Sequence, residues 1–115
     1  MTIEEKVKVI NCSLEEKKGL DIKIIDISKI SVLADYLVIA GGTNKNQVQA
    51  MVDSVEKELA KDNVYTNHIE GYSNANWILL DFGDIIVHVF NQEDRLFYDL
   101  ERLWKDGKSI DITQI

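Results

Sequence analysis

Proline is absent from this 115-residue chain, and cysteine occurs once, at Cys12. No proline-rich linker divides the sequence, and no intrachain disulfide can staple it. No apolar stretch approaches the roughly 20 residues that a membrane span needs. Positive charge is scarce as well: 13 Lys and Arg stand against 20 Asp and Glu, a net charge of −7. Nucleic-acid affinity comes mostly from Lys and Arg displacing phosphate counterions, so direct, non-specific RNA or DNA binding is not expected. A basic patch on another protein is the better-matched partner, because opposite fields steer encounter. Low-complexity runs and internal repeats are also missing. The opening residues, Met1 to Lys6, have neither the basic start nor the apolar run of a signal peptide. A lone cysteine is compatible with a reducing compartment, so the cytoplasm is the expected location.

What is present fits one domain over residues 1–115. Hydrophobic residues make up 45% and charged residues 29%, the balance of a globular chain. A chain of this length buries roughly two-thirds of its unfolded surface, enough for one core. Thr2 and Glu5 form a Thr-x-x-Glu capping box, and Ile3, Val7, Ile10 and Leu14 follow at helical spacing. Lys17 and Lys18 put cations at the negative helix end, and Gly19, able to take a positive φ, is its expected stop. Cys12 lies next to this stripe and is expected to be a small buried hydrophobe.

Two strands come next, Asp21 to Ile27 and Tyr36 to Ala40, the second closed by Gly41-Gly42. Thr43 or Asn44 can cap a second helix whose buried stripe is Val48, Met51, Val52, Val55 and Leu59. Further strands are predicted at Val64 to Glu70, Trp77 to Phe82 and Ile85 to Phe90, the last two joined at Gly83-Asp84. Asn91 can cap a third helix with Leu96, Phe97, Leu100, Leu103 and Trp104 on its apolar face, Trp104 being expected to close the core. Gly107 ends it, and residues 107–115 are a weakly determined tail. The fold class is thus α/β of mixed kind. Its order is α-β-β-α-β-β-β-α, one five-stranded mixed sheet packed by helices. The helix after the second strand is long enough for a parallel crossover, right-handed by rule.

The hairpin holds the informative pattern. Period two sets Ile78, Leu80 and Phe82 against Trp77, Leu79 and Asp81 on the first strand. The second strand splits into Ile85, Val87 and Val89 against Ile86, His88 and Phe90. A two-residue turn would put the wholly apolar sets on one face and Trp77, Leu79, Asp81, Ile86, His88 and Phe90 on the other. A three-residue or bulged turn would swap the pairing. The mixed face has two readings. Either it is a core Trp edge, a turn Asp and a hydrogen-bonded His under a helix, or it is a protein-binding patch with an aromatic centre. Tyr98, off the apolar stripe and ringed by Asp94, Arg95, Glu101 and Arg102, is either plain surface or a contact anchor.

Three segments resemble the RsfS/Iojap family of ribosomal silencing factors: Asp35 to Thr43 with Gln47-Val48, Glu70-Gly71 with Trp77 to Phe90, and Arg95 to Trp104. The likeness runs from about Val7 to Trp104. Gly41 stands where Ser or Thr is usual in the family, and Asn46 where Arg is common. The resemblance implies a mixed sheet similar in topology to nucleotidyltransferases, and no cofactor. It implies binding to large-subunit ribosomal protein fourteen on the face that meets the small subunit, so that subunit joining is blocked sterically. Organelle relatives act in ribosome assembly. The family's binding surface maps onto Trp77, Asp81, Asp84, His88, Arg95, Tyr98 and Leu100, with the aromatics burying apolar area and the carboxylates facing Lys or Arg.

Two other classes compete. An active nucleotidyltransferase would use Ile39 to Thr43 as a phosphate-approaching Gly turn. It would also need clustered carboxylates for magnesium, but Asp81 and Asp84 are split by a Gly turn and Asp35 precedes the Gly41-Gly42 turn instead of following it. Tight strand-to-helix packing is the better explanation of Gly41-Gly42. His68 and His88 fall on different strands, no Cys or His pair has ligand spacing, and no Gly-x-Ser-x-Gly occurs, so neither a metal site nor acyl transfer is expected. The remaining class is a homodimeric scaffold pairing the hairpin face by twofold symmetry. Such a dimer of the free protein is compatible with ribosome binding.

Overall fold

The computed structural model describes residues 1–92 and 107–112. Helix α1 (Ile3–Glu16) starts on the expected capping box: Glu5 N–H donates to Thr2 Oγ1 at 3.1 Å and Thr2 N–H donates to Glu5 Oε1 at 3.3 Å. It ends in a Schellman motif, with Gly19 N–H donating to the Leu14 carbonyl and Lys18 N–H to that of Glu15, each at 2.9 Å. The left-handed position is taken by Lys18, with φ of 62°, not by Gly19. Cys12 also departs from expectation. It is exposed, because it lies two residues from both Ile10 and Leu14 and so about 200° around the helix from each.

Strands β1 (Leu20–Asp26) and β2 (Tyr36–Gly42) form an antiparallel pair, and β2 is buried along its whole length. Helix α2 (Lys45–Ala60) follows, capped by the Asn44 side chain, which accepts from Gln47 N–H at 2.8 Å. Strands β3 (His68–Glu70), β4 (Trp77–Asp81) and β5 (Ile85–Asn91) complete an antiparallel meander. β3 is shorter than predicted, since Val64 N–H donates to the Leu59 carbonyl and closes α2 instead of pairing in the sheet. The tail, where the sequence sets no element, supplies a sixth strand, β6 (Lys108–Ile110), antiparallel to β1. The third helix expected after Asn91 falls outside the described residues, with Leu96, Phe97, Leu103 and Trp104.

The sheet order is β3-β4-β5-β2-β1-β6. Its one parallel pair is β2 with β5, from Tyr36 opposite Ile85 to Gly42 opposite Asn91. β3 runs in the direction of β2, but α2 carries the chain past two strand positions to reach it. The mixed α/β sheet is therefore as expected, with one strand more. α1 and α2 cover one face. There Val7, Ile10, Leu14, Val48, Met51, Val52, Val55 and Leu59 meet Ile24, Val38, Ala40 and the apolar side of the hairpin in one core. The opposite face carries a second cluster of Ile25, Ile27, Ala34, Leu37, Ile39 and Phe90, with Trp77 and Ile86 packed against it.

Candidate functional site

The hairpin register decides what the second face displays. Trp77 lies opposite Phe90, Leu79 opposite His88 and Asp81 opposite Ile86, and Phe82 N–H donates to the Ile85 carbonyl at 2.9 Å. Only Gly83 and Asp84 remain between the strands. Gly83 takes φ of 87° at the first turn position, the pattern of a type II′ hairpin turn, which matches strand twist. With two turn residues, Ile78, Leu80, Phe82, Ile85, Val87 and Val89 all enter the helix-covered core. Trp77, Leu79, Asp81, Ile86, His88 and Phe90 share the other face.

On that face Trp77, Leu79, Asp81 and Ile86 are half-buried, while Phe90 and His88 are buried, His88 keeping 7% exposure. The Trp77 indole Nε1–H donates to His88 Nδ1 at 2.8 Å. Its ring stacks on Phe90 with centroids 5.2 Å apart, and His88 stacks on Phe90 at 6.2 Å. Since Nδ1 accepts, the neutral ring carries its proton on Nε2. Burial pushes the His88 pKa down to about 4, because an imidazolium here would lose its water. Gly71 fixes the entry to β4: it has φ of 80°, and a Cβ there would collide with the Trp77 carbonyl oxygen.

Asp81 and Asp84 are both engaged within the chain. Asp81 Oδ1 accepts from Gly83 N–H at 2.7 Å and so braces the turn. Asp84 Oδ2 pairs with Lys6 Nζ at 3.3 Å, tying α1 to the hairpin, and the Asp84 carbonyl accepts from the N–H groups of Asp35 and Tyr36. The strand registers bring Asp26, Asp35, Asp81 and Asp84 to the same end of the sheet. Trp77 lies at the opposite end of β4, about 13 Å away by strand rise. Among the described residues no three His, Cys, Asp or Glu side chains converge to hold a metal ion. Arg95, Tyr98 and Leu100, the other residues singled out in the sequence, lie outside the described residues. His68 is exposed on the edge strand β3, bonded to Glu70 at 2.8 Å.

One feature was not singled out in the sequence. Between β1 and β2, Ile30, Val32 and Leu33 are 45%, 103% and 78% exposed. The loop is braced locally. Ser31 N–H donates to the Ile27 carbonyl at 2.8 Å, Leu33 N–H to Ser31 Oγ at 3.1 Å, and Ile27 N–H to the Asp35 carbonyl at 2.9 Å. Ser28 bonds Asp26 Oδ1 through its hydroxyl and its N–H, and these bonds hold that carboxyl below its usual range. The only sequence signal is three aliphatics with neither helical nor strand period.

The Gly turn before α2 has a packing reason. A Cβ on Gly42 would come within 2.9 Å of Val48 Cγ2, and Gln47 Oε1 accepts from both the N–H and the hydroxyl of Thr43. Close strand-to-helix contact therefore accounts for Gly42. No described helix is long and apolar enough to cross a membrane.

The chain matches the family described as "Ribosomal silencing factor during starvation" over residues 1–115. It is 31% identical over 115 residues to ribosomal silencing factor RsfS of Halalkalibacterium halodurans, covering 100% of this chain and 98% of that one. A mouse protein named mitochondrial assembly of ribosomal large subunit protein 1 is 32% identical over 95 residues, 79% of this chain and 41% of its own length. A crystal structure of a Chromobacterium violaceum protein superposes with a TM-score of 0.88 at 37% identity, covering 91% of this chain and 88% of the other. Matched over its whole length and sharing the fold of a 37% identical solved structure, this chain belongs to the ribosomal silencing factor family.

Proposed function

We propose that this chain represses translation by steric competition. It binds the large ribosomal subunit through ribosomal protein fourteen and occupies the space into which the small subunit docks, with no bond made or broken. The observation that carries this reading is the second hairpin face, where a half-buried tryptophan stands on a stacked aromatic floor with a carboxylate further along the same strand. Tryptophan at the centre of such a patch buries much area at small entropic cost, the property of interface anchors. The net charge of −7 favours a cationic protein neighbour over phosphate.

Trp77, Asp81, Asp84, Arg95, Tyr98 and Leu100 are the proposed contacts, with His88 behind Trp77. Family membership supports the ribosome as target, and the mouse relative's name ties that protein to the large subunit. The test is to mix purified subunits at a saturating dose of the protein and follow their association by light scattering. Joining should slow, and the protein should sediment with free large subunits and not with joined ribosomes. Association at an unchanged rate would overturn the reading.

A further inference from the structure

Trp77 and His88 stand diagonally across the β4–β5 ladder on the same face, and contacts with Phe90 and His88 orient the indole. Phe90 stacks beneath its plane with centroids 5.2 Å apart and an interplanar angle of 24°. His88 Nδ1 holds its N–H at 2.8 Å, with the two ring centroids 5.7 Å apart. A stacking plane alone leaves a ring free to slide and turn over. A plane together with an anchored N–H leaves one orientation. The sheet neighbours of His88, Leu79 on β4 and Ile39 on β2, are aliphatic and offer no charge. Burial keeps the imidazole neutral at pH 7, so the lone pair on Nδ1 stays available. His88 is itself almost fully enclosed, whereas Trp77 is half-buried and keeps part of its surface exposed.

We propose that His88 is a positioning residue whose Nδ1 acceptor locks the Trp77 indole in the orientation that meets the partner. The inference rests on the reading of this face as the docking surface. A ring fixed before contact does not have its rotamers to lose on binding, which tightens the complex without a new contact. Aromatic stacking alone does not explain a histidine here. A buried polar ring is costly unless hydrogen-bonded, and this one is bonded to the anchor.

The experiment titrates the full chain against purified large subunits, with folding of each variant checked by circular dichroism. His88→Leu should weaken binding about tenfold, the worth of one ordered side chain. His88→Asn, whose Oδ1 can accept in place of Nδ1, should recover most of the loss. In a Trp77→Ala background, His88→Leu should add nothing. In wild type the Trp77 indole N–H resonance should exchange slowly with water, and in His88→Leu it should shift upfield and exchange faster. This readout answers to the hydrogen bond and not to general stability.

A folded His88→Leu that binds as wild type does, or losses that simply add in the double variant, would overturn the proposal. So would fast indole exchange in wild type, a result that needs no variant to fold. If Trp77→Ala binds at full strength, the face is not the docking surface and the underlying reading falls. If Trp77→Ala weakens binding and His88→Leu does not, only the positioning role falls.

Discussion

The two sides of the β4–β5 hairpin are built from neighbouring residues and meet different ends. On one side Ile78, Leu80, Ile85, Val87 and Val89 are fully enclosed beneath α1 and α2. On the other, Trp77, Leu79, Asp81 and Ile86 remain half-buried around a histidine and a phenylalanine. The backbone is common to both, so the difference lies in side-chain chemistry alternating at period two. The dry side fixes the strands in place. The mixed side then holds its indole, imidazole and carboxylate on a rigid ladder and not on a loop, which gives an interface a fixed geometry. A one-residue slip in the turn would exchange the two sides, so Gly83 and Asp84 fix which set of side chains meets the helices.

Substitutions on either side should separate these roles. Leu80→Ala, on the enclosed side, should cost about 4 kcal/mol in urea unfolding, because the cavity cannot collapse between two helices and a sheet. A loss below about 1 kcal/mol would mean that this side is loosely packed.

Acid should act through the mixed side. The His88 pKa is depressed from 6.5 to about 4, so between those values the unfolded chain binds a proton that the folded chain refuses. Stability is then full above pH 6.5 and falls as the pH drops toward 4, by up to about 3 kcal/mol. In His88→Asn, melts across this window should be flatter. An unchanged slope would place the titration elsewhere. Val32→Ser, on the exposed loop beyond either side, should shift stability by less than about 0.5 kcal/mol, since the side chain gives up no contact. A larger loss in the melt would show that the loop packs on something.

Local features were legible in the sequence because they depend on residues a few positions apart. The Thr2 and Glu5 box, the Asn44 cap and the alternation of the hairpin all belong here. The hairpin's register was legible only as a choice between two turns, and Phe82 bonding to Ile85 decides it. Pairings between distant segments were not legible. Nothing in β2 names β5 as its parallel neighbour, and a three-residue strand such as β6 is too short to show a period. At the candidate site the residue types marked out the mixed face of the hairpin. Their local engagements did not show, however: Asp81 braces the turn, Asp84 is tied to Lys6, and His88 is enclosed behind Trp77. Lys18 in the left-handed region with a glycine beside it shows the same limit, since backbone geometry chose the position and not the residue's preference.

The parallel seam between β2 and β5 has a bearing on birth as well as on shape. β2 is apolar along its length and sits at the middle of the sheet, yet its partner on one side is made only when synthesis has passed Asn91. A nascent chain can close the β1–β2 ribbon early, but the strand's other edge stays open while α2, β3 and β4 emerge. Long-range closure of this kind slows folding and leaves an adhesive edge for chaperones to shield.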